Sequence, residues 1–143
     1  MMDRVTASPV RVELATALVR VVAGAVFAAH GAQKLFVFGL EGVAGGFASM
    51  GIPMATIAAP SVALLEFIGG IALALGLLTR VVSVGLAGVM IGAMVMVHWS
   101  AGFFAPDGVE FVLVLFAVAA AFALAGAGRY SMDALIARSR VQS

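Results

Sequence analysis

Four long apolar runs, separated by short stretches rich in glycine, proline and charge, set the pattern of this chain. The first covers residues 12–38, follows a polar, proline-bearing tail over 1–11, and ends at Gly39. The second covers 54–78, with Pro60 placed as an early-turn residue or at the start of the membrane-embedded part; the third covers 81–98 and the fourth 109–125. A helix crossing the hydrocarbon core needs about 20 predominantly apolar residues, so each run reads as a spanning helix. The punctuation between them agrees. Segment 40–53 holds four glycines and a proline, too broken to span but able to carry a short interfacial helix around 42–50. Thr79-Arg80 reads as a tight turn, and Trp99, Phe103 and Phe104 read as an interfacial aromatic belt around the loop Pro106-Asp107-Gly108. The fourth run stops at Gly126-Ala127-Gly128. Beyond it Ser131 can cap a short helix with Asp133 in its first turn and Arg138 and Arg140 near its end, an interfacial segment over 129–143 suited to an anionic membrane surface. The expectation is an all-α integral membrane four-helix bundle, one transmembrane domain over 1–143.

Composition strengthens this reading. Hydrophobic residues make up 64% of the 143 and charged residues 10%, where a soluble domain carries about a quarter charged; mean hydropathy is +1.19. The chain has no cysteine, which excludes thiol chemistry, disulfides and cysteine-ligated metals. A net charge of +1 with no basic tract gives no basis for nucleic-acid binding. The first apolar run is too long for a signal-peptide core and reads as a retained signal anchor. With four spans, Arg4, Arg11, Arg80, Arg129, Arg138 and Arg140 fall on one side and Glu41, Asp107 and Glu110 on the other. The positive-inside rule then makes both termini cytoplasmic, in the inner (plasma) membrane of a bacterial cell.

Ionisable residues at membrane depth are costly and normally face a partner or a watery cavity. Glu66 lies mid-way along the second run, at a height between Arg20 and His30 of the first. Either can reach it. Arg20 is the expected ion-pair partner and His30 a second hydrogen-bond partner, and such a pair can be a fastening of the bundle or part of a working site. His30 and Lys34, four residues apart, share a helix face. With His98 and Glu110 they are expected to form a pocket mouth on the non-cytoplasmic side, as ligand contacts or a proton path; the plainer reading is an interfacial fringe with Lys34 snorkelling. Haem held by His30 and His98 is the poorer reading, since nothing in the sequence makes the rings face each other. Gly69, Gly70, Gly76 and the Gly88-x-x-x-Gly92 pair are expected to serve close helix packing. No metal-ligand spacing, phosphate loop or nucleophile triad occurs.

Arg20-x-x-x-Gly24, His30-Gly31-x-x-Lys34-Leu35, Gly51-Ile52-Pro53, Glu66-x-x-Gly69-Gly70, Gly76-Leu77-x-Thr79-Arg80, His98 and the closing Gly126-x-Gly128-Arg129-Tyr130-Ser131-x-Asp133 follow one another in an order that resembles the DoxX family of small bacterial membrane proteins. The resemblance covers nearly the whole chain. It implies a four-helix membrane bundle and a link to membrane oxidoreductase systems, thiosulfate:quinone oxidoreductase among them, while distant relatives act as chaperones or assembly factors. The first expectation is therefore an accessory or quinone-interacting subunit with a polar intramembrane pocket, with quinone as the implied cofactor and no redox centre of its own. A membrane or peripheral redox partner and a homo-oligomer are the partners such a subunit would have besides the bilayer. A non-enzymatic chaperone or assembly factor is the alternative, and a small-molecule carrier the third.

Overall fold

A computed structural model describes residues 8–141, and these residues form helices joined by turns, with no strand among them. The bundle is all-α. Most of the tail over 1–11, including Arg4, lies outside the described residues, as do the last two residues of the interfacial segment 129–143. Helix α1 (Pro9–Ala32) starts earlier than the apolar run because Ser8 caps it, its side chain accepting from the Arg11 N–H, and Pro9 supplies the preset φ of a first helical position. It continues as a π-helical segment (Gln33–Phe38) until Gly39, whose φ of +70° turns the chain into α2 (Gly39–Ser49), the short helix anticipated around 42–50. Helix α3 (Ala55–Leu75) follows a turn. Pro60 lies inside α3, beyond its first turn, rather than at its start.

Helix α3 ends at Gly76, in the left-handed conformation with φ +70°, and the Leu77 N–H bonds back to the Ala72 carbonyl at 2.8 Å. Thr79, expected in the turn, is instead the first residue of α4 (Thr79–Ala93). A second π-helical segment (Met94–His98) extends α4, and after a loop come α5 (Glu110–Ala125) and α6 (Met132–Val141). Three stretches, Pro9–Ser49, Ala55–Leu75 and Thr79–Ala101, are long and apolar enough to cross a membrane; α5, at 16 residues, is a shorter apolar helix.

The most extensive interface is α1 against α3, followed by α4 against α5. On α1 the buried residues Arg20, Ala23, Gly24, Phe27 and Gly31 recur at helical spacing, and on α3 Ala59, Ala63, Glu66, Gly70 and Leu73 do the same. Small residues dominate this seam, so the backbones come close. A Cβ on Gly24 would sit 2.5 Å from the Ala74 nitrogen, and one on Gly70 would sit 2.7 Å from the Gly24 carbonyl oxygen. Lipid tails are as apolar as leucine, so helices in a membrane associate through such close packing rather than through burial of apolar surface from water. The central core joins Ala23, Phe27 and Leu73 to Leu86, Met90, Leu115 and Phe122. The outside is apolar too: Leu18, Ile68, Val81, Val84 and Leu124 are all more than half exposed, as a surface facing lipid requires.

The C-terminal segment folds back beneath the bundle. The Arg129 N–H donates to the Glu13 carboxylate at 2.6 Å and the Asp133 N–H to the Gly76 carbonyl at 2.9 Å, so the start of α1, the α3–α4 turn and α6 share one end.

Candidate functional site

Two buried charges organise opposite ends of the bundle, and they are not each other's partners. Arg20 is 3% exposed. Its Nε donates to the Ala74 carbonyl at 3.4 Å, Nη2 to the Tyr130 carbonyl at 2.7 Å and Nη1 to the Ala127 carbonyl. The expected Arg20–Glu66 pair is thus absent, and register explains why. The Gly24–Gly70 and Gly31–Phe67 contacts set α1 against α3 so that Arg20 stands beside the last turn of α3. Glu66 is eight residues back from Ala74, about 12 Å along the helix at 1.5 Å per residue. Equal heights measured from the ends of the apolar runs place Arg20 too far up the bundle, because α1 runs past the end of α3: Arg20, eleven residues into α1, stands level with Ala74 at the end of α3.

Asp133 completes the Arg20 end. Its carboxylate accepts from the Leu78 N–H at 2.8 Å and the Thr79 N–H at 2.9 Å, capping α4 from a distant part of the chain. Burial by itself would raise the Asp133 pKa; the two backbone N–H donors and the nearby Arg20 guanidinium outweigh it and hold the carboxyl below its ordinary value. Ser131 caps α6, accepting from the Ala134 N–H at 3.2 Å.

Glu66 pairs instead with Lys34, Nζ to Oε2 at 2.5 Å, with the side chains 5% and 20% exposed. The pair lies on the wall of a cleft of about 590 Å³ enclosed by α2, α3 and α4, whose other walls include Phe47, Met50, Ile52, Val62 and Val89. His98 lines the same cleft. Lys34 sits in the first π-helical segment and His98 ends the second. Such wide turns, with i→i+5 bonding, are frequent at functional sites, and both here carry a polar residue of the cleft. The His98 Nδ1 is 2.7 Å from the Asp107 carbonyl oxygen. A carbonyl only accepts, so Nδ1 carries the hydrogen, and in the neutral ring Nε2 is left as an acceptor. The cleft therefore offers an ammonium, a carboxylate and an imidazole on mainly apolar walls, within the usual size range of small-molecule sites, about 300–1,000 Å³.

The remaining candidates separate from it. His30 is exposed on another face of α1, its ring 5.9 Å from that of Phe111 on α5. The i, i+4 alignment with Lys34 fails because the wider winding begins at Gln33, between the two. Glu110 accepts from the Ala105 N–H at 2.7 Å and orders the loop before α5; it does not line the cleft. Gly69, Gly70 and Gly76 do meet neighbouring residues closely, whereas a Cβ on Gly88 or Gly92 would meet open space. These two glycines line the cleft instead of packing helices. Sequence reasoning missed Asp133 as the cap of α4, Gly31 as the contact that levels Lys34 with Glu66, and the contribution of α2 to the cleft. The one signal available was that the single lysine of the chain stands on the same apolar run as the other candidate partners of Glu66.

Comparison with known proteins bears on this geometry. A family model described as DoxX matches residues 15–99. The protein named "Putative oxidoreductase CatD" from Bacillus subtilis (strain 168) is 34% identical over 128 residues, which cover 90% of this chain and 91% of the relative. No solved structure matches. The matched residues run from α1 through the second π-helical segment and include Lys34, Glu66 and His98, while α5 and α6 lie beyond them.

Proposed function

This chain belongs to the DoxX family of membrane proteins, and on that premise we propose that it is the quinone-binding subunit of a membrane oxidoreductase system, with the α2–α3–α4 cleft as the binding site. The observation that carries the proposal is the Lys34–Glu66 pair on the wall of an otherwise apolar cleft. The donor set fits a quinone. Flat apolar rings suit the walls, and the two ring oxygens need a donor and a proton acceptor. A bound quinone supplies reversible two-electron, two-proton chemistry at those oxygens. Lys34 has three ammonium hydrogens, of which Glu66 takes one, so the others are free to donate to a ring oxygen. Glu66 fixes the position of the ammonium. His98, oriented by its bond to Asp107, presents Nε2 to receive or return a proton. Electrons pass to or from a separate redox partner in the membrane or at its surface.

The name of the Bacillus subtilis relative supports an oxidoreductase setting. In this reading α1, α3, α4 and α5 all span the bacterial inner membrane. Arg11, Arg80, Arg129 and Arg138 gather on the cytoplasmic side, with the cleft in the outer half.

The test uses Gly92→Leu, which places a side chain in the open space of the cleft and leaves the ion pair intact. Wild-type protein purified in mild detergent is expected to retain quinone detectable by mass spectrometry. Gly92→Leu is expected to lose at least about tenfold of it while keeping its helical circular dichroism and melting temperature. Equal retention by the two proteins would move the ligand elsewhere, and a wild type that holds no added quinone would end the proposal.

A further inference from the structure

The opposite end of the bundle carries a second cleft, of about 400 Å³, between the last turn of α3 and the segment that leads into α6. Its lining divides by chemistry. Arg129 and Arg138 bring two guanidinium groups, Tyr130 is half exposed, and Leu75, Met132 and Leu135 form an apolar side, each between 41% and 57% exposed. Among the described residues neither guanidinium has a carboxylate within 4.0 Å. The nearby acids are already committed. Glu13 takes the Arg129 backbone N–H, and Asp133 caps α4. Two cations with no carboxylate partner among the described residues thus stand beside an apolar wall that starts on α3, whose outer surface faces lipid.

Helix α6 is also fastened at the level such a ligand would occupy. Asp133 ties its first turn to the α3–α4 turn through three backbone bonds, to Leu78, Thr79 and Gly76. Met132, Leu135 and Ile136, at helical spacing, remain exposed. A short helix held this way with an apolar stripe outward and arginines near its end lies in the membrane interface. That plane is where phospholipid phosphates sit.

We propose that this cleft binds an anionic phospholipid, its headgroup phosphate held between Arg129 and Arg138 and the upper part of one acyl chain lying on Leu75 and Leu135. Guanidinium groups match phosphate oxygens in geometry as well as charge, and basic clefts between membrane helices at the cytoplasmic face hold anionic headgroups in this manner. Bridging α3 and the α6 segment, the lipid would act as a removable fastener of the C-terminal helix. The site is independent of the α2–α3–α4 cleft, and its occupation requires nothing of the proposed quinone chemistry.

The experiment is native mass spectrometry of detergent-purified full-length protein titrated with phosphatidylglycerol or phosphatidylcholine, for the wild type, Arg138→Gln and the Arg129→Gln/Arg138→Gln pair. Wild type should hold one phosphatidylglycerol in preference to phosphatidylcholine. At about 1 kcal/mol per basic residue the preference should fall about fivefold in the single variant and about 30-fold in the double. Arg138 is exposed, so the single variant tests the site even where the double fails to fold. Equal retention of the two lipids by the wild type, or an undiminished preference in Arg138→Gln, would overturn the proposal. Displacement of the lipid by millimolar inorganic phosphate would also overturn it, by showing a site for the free anion.

Discussion

The two ends of the bundle bury charge in opposite ways. Arg20 is enclosed by three backbone carbonyls drawn from the end of α3 and the segment before α6, and the groups it touches belong to turns that would otherwise leave those carbonyls unpaired. Lys34 and Glu66 satisfy each other with one bond and keep further donors and acceptors beside a cleft. A buried charge surrounded by carbonyls fastens chain segments together; a pair with spare capacity facing a cavity is poised to meet a ligand. The glycines divide in the same manner. Gly24, Gly31 and Gly70 let two backbones touch, while Gly88 and Gly92 hold a space open.

The sharpest way to break this comparison is to add side chains at both kinds of glycine. Gly70→Val places methyl groups where the α1 backbone already lies and should cost more than about 3 kcal/mol, because a backbone cannot yield as a side chain can. Gly88→Ala should be neutral or stabilising by up to about 1 kcal/mol. Denaturant titration in detergent followed by circular dichroism measures both, and equal losses would erase the distinction. Next in size, Arg20→Met leaves the Ala74, Ala127 and Tyr130 carbonyls without their donor and should cost about 2–3 kcal/mol. Quinone retention should be unchanged, and a parallel loss of quinone would join the two ends into one site.

At the other end the partners are unequal. Lys34→Met strands a carboxylate that is 5% exposed and should cost about 2 kcal/mol. Glu66→Gln leaves an ammonium that is 20% exposed and able to turn toward water, at about 1 kcal/mol. The double variant Lys34→Met/Glu66→Leu should regain most of the stability but not quinone binding. Recovery of both would make the pair a fastening after all. The smallest effect concerns pH. The Asp133 carboxyl is held below its ordinary value in the folded protein, so its contribution is complete above about pH 4 and is lost as pH falls through the depressed folded value. Amide exchange in α6, taken relative to the intrinsic rate of an unfolded chain at the same pH, should therefore accelerate on acidification below about pH 4. In Asp133→Asn it should already be faster at neutral pH, with about 1 kcal/mol lost. Exchange that ignores pH in the wild type would remove Asp133 as the latch.

Much of this was readable from residues alone. Apolar runs bounded by glycine and proline reported the helices, Ser131 reported its own cap, and Glu66 stood out as a charge that required a partner. Two kinds of information were not local. Which cation meets Glu66 depends on how far α1 slides along α3, and that is set by backbone contact at Gly24, Gly31 and Gly70, none of which changes the hydropathy pattern. Where Lys34 and His98 point depends on two π-helical segments, whose residues have no distinctive composition.

By itself, then, the sequence determined an all-helical membrane protein, its family, and which side chains had to find polar company at depth, because the cost of a bare charge in lipid and the need of every backbone group for a partner act on composition and order alone. Only the tertiary structure decided that Arg20 fastens turns, that Lys34 answers Glu66, and that Gly88 and Gly92 face a cleft. Those outcomes rest on helix register and rotation, where a shift of one turn, about 5.4 Å, exchanges one partner for another.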